Sequence, residues 1–210
     1  MRLKIASLLV LSAASFFIGL GADGISRSQE GRVLETAREM RERGDYLVPY
    51  LMGQPRYEKP PLLYWLTAAG YVVSGQVNEL AGRVPVALFG VASVLLLYGL
   101  GRRHLGDRAG FFAGLALTSG PLWMQYARQA ETDVPQAFFV TLALFAFLEE
   151  KPLLAWITMG VGFLNKGPAS LVMPLVTLVI WRLWNSNPRA LLRDCRWWFV
   201  LVGLAIALSW

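Results

Sequence analysis

The sequence predicts an all-α, polytopic helical membrane protein, and three observations carry that prediction. Apolar residues make up 55% of the 210 positions and charged residues only 16%, against about 25% charged in a soluble domain. The apolar residues gather into long runs, where a soluble helix shows one apolar stripe. The charges fall between the runs and sort by side.

The elements follow in order. Arg2 and Lys4 precede an apolar run over residues 5–20. It reads as a signal peptide ending at Ala22 or as a first span over about residues 5–22; the further spans behind it favour a retained span. Residues 23–61 form a polar stretch with seven basic and seven acidic residues. Within it Ser28 reads as a helix N-cap, Gln29 and Glu30 fill the first turn, and Gly44 suits the stop. Val33, Leu34, Ala37 and Met40 recur at helical spacing, so this is a short amphipathic helix suited to the membrane interface. Residues 62–73 are apolar but too few to cross a core of roughly 30 Å, and read as a second interfacial helix begun by Pro60 and Pro61. Spans are expected at 80–100, 109–126, 134–148, 153–164 and 168–184, with another begun at Trp197. That last run stops at Trp210, about 21 Å long at about 1.5 Å per residue. The expectation is therefore the N-terminal part of one transmembrane domain over 1–210, with an outer loop at 23–79, either truncated at the C-terminus or with its remainder elsewhere.

Orientation follows from the basic residues. With a cytoplasmic N-terminus, the inner segments hold Arg2, Lys4, Arg102, Arg103, Arg108, Lys151, Arg182, Arg189, Arg193 and Arg196, while the short outer loops keep Arg83, Arg128 and Lys166. This obeys the positive-inside rule. The net charge of +6 is thus membrane topology, and no nucleic-acid partner is expected. One cysteine, Cys195, excludes an internal disulfide and reads as a plain thiol. With one histidine, His104, the chain holds no His/Cys metal cluster.

Four outer segments carry residues able to do chemistry. In Arg56-Tyr57-Glu58-Lys59-Pro60-Pro61 the prolines set the backbone and hold Lys59 at a defined depth. A cation there suits a lipid phosphate, or serves as a snorkelling anchor. In Arg128-Gln129-Ala130-Glu131-Thr132-Asp133 two carboxylates precede a span; Asp133 reads equally as a helix cap and as a site residue. Glu30 in its first turn is explained by the helix dipole alone. Lys166 ends a tight reversal at Gly167-Pro168 and stands as a further outer cation. The carboxylates and lysines share one face of the bilayer, an arrangement that suits a phosphate at the interface with a sugar above it.

These segments, in this order, resemble the ArnT-like and protein O-mannosyltransferase families. Residues 29–40 are similar to the first outer helix of those proteins. The stretches 44–49 and 57–65, then Arg83-Val84-Pro85, Thr132-Asp133 and Lys166-Gly167-Pro168, extend the likeness over most of the chain. The resemblance implies a GT-C type transmembrane bundle with amphipathic juxtamembrane helices. It implies transfer of a sugar, aminoarabinose or mannose among them, from a polyprenyl-phosphate donor to a lipid or protein acceptor, with inversion. It also implies a bacterial inner (plasma) membrane location and an active face outside the cytoplasm. Carried over by position, Glu30 and Asp133 fall at or beside the catalytic carboxylates. Lys59 falls at the phosphate-binding lysine, aided by Arg32 and Lys166. Gln29, Asp23, Arg56, Tyr57, Glu58 and Glu131 are further cleft residues. Gln29 departs from the family, whose members often carry Asp there; an amide cannot act as a base, so Glu30 or Asp23 would supply the charge. No cofactor is required, because a lipid phosphate leaves readily; a divalent cation near Glu58 is the one metal position left open. The rival readings are a non-catalytic, lipid-binding relative and a lipid or solute transporter. The transporter is disfavoured because spans 80–100 and 134–148 carry charge only near their ends.

Overall fold

The structure is a computed structural model that describes residues 2–210. The chain gathers into two compact units. One holds the residues up to Tyr57 together with Leu63–Pro135; the other holds Glu58–Leu62 with Gln136–Trp210.

The first unit is built from α1 (Arg2–Phe17), α2 (Ser28–Arg43), a hairpin of β1 (Tyr50–Leu51) and β2 (Gln54–Pro55), α3 (Leu62–Ser74), α4 (Glu79–Leu105), α5 (Asp107–Ser119) and α6 (Pro121–Ala127). α4 packs along both α1 and α5. Leu8 and Phe16 of α1, Met40 of α2, Tyr64 and Tyr71 of α3 and Val86 and Val94 of α4 form its core. α4 starts cleanly because the Asn78 side chain accepts from the Ala81 amide at 2.9 Å. At 27 residues it runs about 40 Å, and among the described residues it is the one helix long and apolar enough to cross a membrane. Pro85 interrupts its second turn and deprives the Ala81 carbonyl of its helical donor. A Cβ on Gly70 of α3 would lie 2.2 Å from that carbonyl, so only glycine fits there.

Several sequence expectations are corrected here. α2 covers the expected segment and stops at Gly44 in the left-handed region (φ 67°), but its N-cap is Arg27, without a side-chain cap bond. Ser28 lies one residue inside. The run expected as one span over 109–126 is two helices, α5 and α6, broken at Gly120-Pro121. Gly120 is extended, with ψ 117°, the conformation that a following proline imposes. The hairpin was not expected. Met52 (φ 53°) and Gly53 (φ 78°) make the two-residue turn with positive φ at both positions that fits the twist of paired strands. Glu39 of α2 accepts from the Gly53 amide at 3.1 Å, and the Arg43 guanidinium lies 4.1 Å from the Tyr50 ring centroid. These contacts fix the hairpin to α2.

The second unit contains α7 (Asp133–Leu148, from Gln136 onward), α8 (Pro152–Lys166), α9 (Ala169–Trp184), α10 (Arg189–Asp194) and α11 (Trp197–Ala207). α8 and α11 pack in near backbone contact: a Cβ on Gly160 would lie 2.5 Å from the Gly203 carbonyl oxygen. Such small-residue contacts replace the hydrophobic drive where the surroundings are themselves apolar. Asp194 is fully buried, bonded to Arg182 Nε at 2.8 Å, and its carbonyl accepts from Trp156 Nε1 at 2.9 Å. On α9 Val172, Met173, Val176, Val179, Ile180 and Leu183 form one face, each at least 40% exposed, while Pro174, Leu178 and Arg182 are buried. The outer face of this helix is thus apolar and its buried face carries the charge, the reverse of a helix in water. Helices α3, α7, α9 and α11 are apolar but only 10–17 residues long.

Candidate functional site

Glu30 is the third residue of α2, in the turn where the helix dipole favours a carboxylate. It is fully buried. Oε1 accepts from Arg83 Nε at 2.8 Å and from the Ala130 amide at 3.0 Å; Oε2 accepts from Arg83 Nη2 at 3.0 Å. Arg83, in the second turn of α4 and 2% exposed, also donates to the carbonyls of Leu20 at 2.9 Å, Asp23 at 2.7 Å and Gly24 at 3.3 Å. One buried ion pair therefore ties together α2, α4, the link behind α1 and the link that leads into α7. A forked guanidinium can do this because its donors point in fixed, separate directions.

A second cation clamps the same link. Arg27 Nε pairs with Glu131 at 2.9 Å, and Nη1 donates to the Tyr126 hydroxyl at 2.9 Å. The Tyr126 bond, then Glu131 and more weakly Asp133, hold the Arg27 guanidinium above its ordinary pKa. A third arginine, Arg128, donates to the carbonyls of Ser15 at 3.2 Å and Ile18 at 2.7 Å, at the end of α1, and stands 3.8 Å from Asp23. A cation suits that end of a helix.

Asp133 follows these clamped residues. It is exposed and opens α7, while Glu131 and Thr132 before it are buried. In the first unit the structure thus brings Glu30, Asp23 and Glu131 into one network with Arg27, Arg83 and Arg128, and leaves Asp133 accessible beside it. Gln29 is half-buried and Arg32 exposed on α2. Arg56 is buried, with its amide bonded to the Pro49 carbonyl at 2.7 Å. Tyr57 is exposed. Glu58, exposed, and Lys59, half-buried, belong to the second unit, which also holds Lys166, exposed at the end of α8.

Arg83 and Arg27 as members of this network escaped the sequence reading. The available signal was that an arginine at the end of an apolar run needs a buried anion. Glu30, placed by sequence at the catalytic carboxylates, has both oxygens occupied. Among the described residues no three His, Cys, Asp or Glu side chains stand together as a metal site would require.

The fold is of the helical GT-C type. The structure of ArnT from Cupriavidus metallidurans in the apo state matches with a TM-score of 0.91 and 28% identity, over 98% of this chain and 40% of that one. The same enzyme bound to undecaprenyl phosphate matches at 0.89. The chain belongs to the dolichyl-phosphate-mannose-protein mannosyltransferase family, whose model matches residues 58–210. An uncharacterized protein of Aquifex aeolicus is 32% identical over 201 residues, 92% of this chain and 40% of that protein. An undecaprenyl phosphate-alpha-4-amino-4-deoxy-L-arabinose arabinosyl transferase of Pseudomonas savastanoi pv. phaseolicola is 30% identical over 216 residues, 98% of this chain. The chain spans 40% of the length of both relatives.

Proposed function

We propose that this chain is part of a multi-pass inner-membrane glycosyltransferase, active on the non-cytoplasmic side, that moves a sugar from a polyprenyl-phosphate donor to a lipid or protein acceptor. The observation that carries this reading is the match over 98% of the chain, at TM-score 0.89, to an ArnT bound to undecaprenyl phosphate. The inverted polarity of α9 supports further spans beyond α4.

The proposed chemistry divides the residues by accessibility. The bond between the sugar's anomeric carbon and the phosphate oxygen breaks, and the lipid phosphate leaves with the electron pair. The family resemblance, with no placement of one unit against the other, assigns Lys59 to offset the phosphate charge as it develops, and Arg32 and Lys166 to aid it. The acceptor oxygen forms the new glycosidic bond, and its proton passes to Asp133, the exposed carboxylate of the α7 start. Glu30, buried and doubly bonded, is a positioning residue that sets the link carrying Asp133. No step passes through a metal.

A radiolabelled polyprenyl-phosphate sugar, assayed with the complete protein, tests this. Asp133→Asn should lower transfer by about 10²–10⁴-fold, and Lys59→Ala should weaken it strongly. Wild-type turnover in either variant refutes the role given to that residue. Gln29, an amide that cannot act as a base, favours a second reading, a lipid-binding relative without transfer; binding of the polyprenyl-phosphate sugar by the wild-type protein with no label transfer would support it.

A further inference from the structure

Three segments of the first unit, far apart in sequence, meet at one end of α4. The Lys4 ammonium of α1 pairs at 2.5 Å with Asp107, the first residue of α5. Asp107 also accepts from the Tyr98 hydroxyl of α4 at 2.8 Å and stands 3.8 Å from the Arg102 guanidinium. Gly106, at φ 97°, is the single residue between α4 and α5. The two helices leave it in backbone contact: a Cβ on Gly110 would lie 2.5 Å from the Tyr98 carbonyl oxygen. The turn therefore brings the exposed Arg102, Arg103 and Arg108 to the end where α1 places exposed Arg2 and half-buried Lys4. Residues 2–9 and 98–112 hold these five cations and one carboxylate, Asp107, so the patch is strongly positive. Leu3 and Leu105, 80% and 76% exposed, stand among the cations. A charged face alone would suit an acidic protein in water. Uncovered leucines between arginines suit a surface that is anionic outside and apolar a few ångströms deeper, as a headgroup layer is. The length of α4 gives the same depth: about 40 Å exceeds a hydrocarbon core of roughly 30 Å, so its end turns lie among headgroups.

From this placement we infer that the α1–α4–α5 corner is a binding surface for anionic phospholipid, with Arg2, Arg102, Arg103 and Arg108 holding the phosphates and Leu3 and Leu105 entering the acyl boundary. Asp107 holds Lys4 and so fixes α1 against the other two helices. Arg83, near the other end of α4, is about 28 Å away at about 1.5 Å per residue. The lipid bound here is therefore neither the donor nor the acceptor of the proposed transfer, and the inference stands or falls apart from that reading.

The experiment uses the complete protein in phosphatidylcholine bilayers that carry a trace of spin-labelled phosphatidylglycerol or spin-labelled phosphatidylcholine. The motionally restricted part of the electron spin resonance spectrum gives the relative affinity for the two lipids. Wild type at low salt should prefer phosphatidylglycerol about fivefold, the contribution of roughly one cation at an anionic headgroup, and should lose most of that preference in about 1 M salt. Arg102→Gln combined with Arg103→Gln and Arg108→Gln acts at exposed positions, where folding is not at stake, and should reduce the preference to less than about twofold. The matching triple lysine variant keeps the charge and should keep the preference. A wild type with no preference overturns the inference, as does a glutamine variant that retains it. Loss in the lysine variant as well would overturn it too, because charge would then not be what the lipid reads.

Discussion

Replacing Arg83 by methionine should be among the most destabilising single changes in the first unit. The substitution keeps most of the bulk and strands Glu30, which is fully buried, without its cation. Removing one partner of a buried ion pair costs about 3–5 kcal/mol. Arg83 also leaves the carbonyls of Leu20, Asp23 and Gly24. Asp23 and Gly24 line a recess, where water can take over, so their loss adds little and the total stays in that range. Glu30→Gln removes the charge yet keeps an acceptor for Arg83 or Ala130, and should cost about 1–3 kcal/mol. The double variant Arg83→Met/Glu30→Leu removes both charges together and should recover most of the loss, because two apolar groups of similar volume replace a buried pair at nearly no net cost. Unfolding free energies from denaturant titration in mixed micelles, with pulse proteolysis as a second probe, give these differences. An Arg83→Met protein within about 0.5 kcal/mol of wild type, the spread of an ordinary surface change, would refute the reasoning. A double variant no more stable than Arg83→Met alone would do the same.

Two further outcomes follow from the same geometry. Gly160→Ala places a methyl 2.5 Å from the Gly203 carbonyl and should destabilise the second unit by about 1–3 kcal/mol. Gly99→Ala, with open space around its Cβ, should be neutral or stabilising by up to about 1 kcal/mol; equal melting behaviour of the two would show that α8 and α11 do not need the close approach. The Arg38 hydrogen bond holds the Glu35 carboxyl below its ordinary value of 4.5. A lowered folded-state value stabilises the ionised form, so this contribution is full above 4.5 and is lost as pH falls through the lowered value. Protection factors of the α2 amides, exchange relative to the intrinsic rate at each pH, should fall on acidification between about pH 5 and 3 in the wild type, and less so in Glu35→Gln; identical profiles would remove Arg38 as the cause.

Much of the architecture was readable because it depends on local composition. Apolar runs, prolines at helix starts and Gly44 at a helix end act within a few residues, so α2, α3, α4, α7 and α9 lie close to where the pattern puts them. The break at Gly120-Pro121 was also local; the apolar run continues through it, and hydropathy does not register a proline. The hairpin was hidden because its turn is Met52-Gly53, without the asparagine or aspartate that usually marks such a turn.

The sequence by itself determined the helical class, the polar segment over residues 23–61 and the ordered motifs of the family, since periodicity and spacing are properties of the chain alone. Only the tertiary structure decided what Glu30 touches. Its position near the start of α2 suits a catalytic carboxylate and a structural one equally. The difference is made by Arg83, 53 residues away, which neutralises it, and by Ala130, 100 residues away, whose amide takes an oxygen. Burial and pairing are relations between distant residues, so two carboxylates that read alike in the sequence part company in the fold: Glu30 is fully buried, and Asp133 is exposed at the start of its helix.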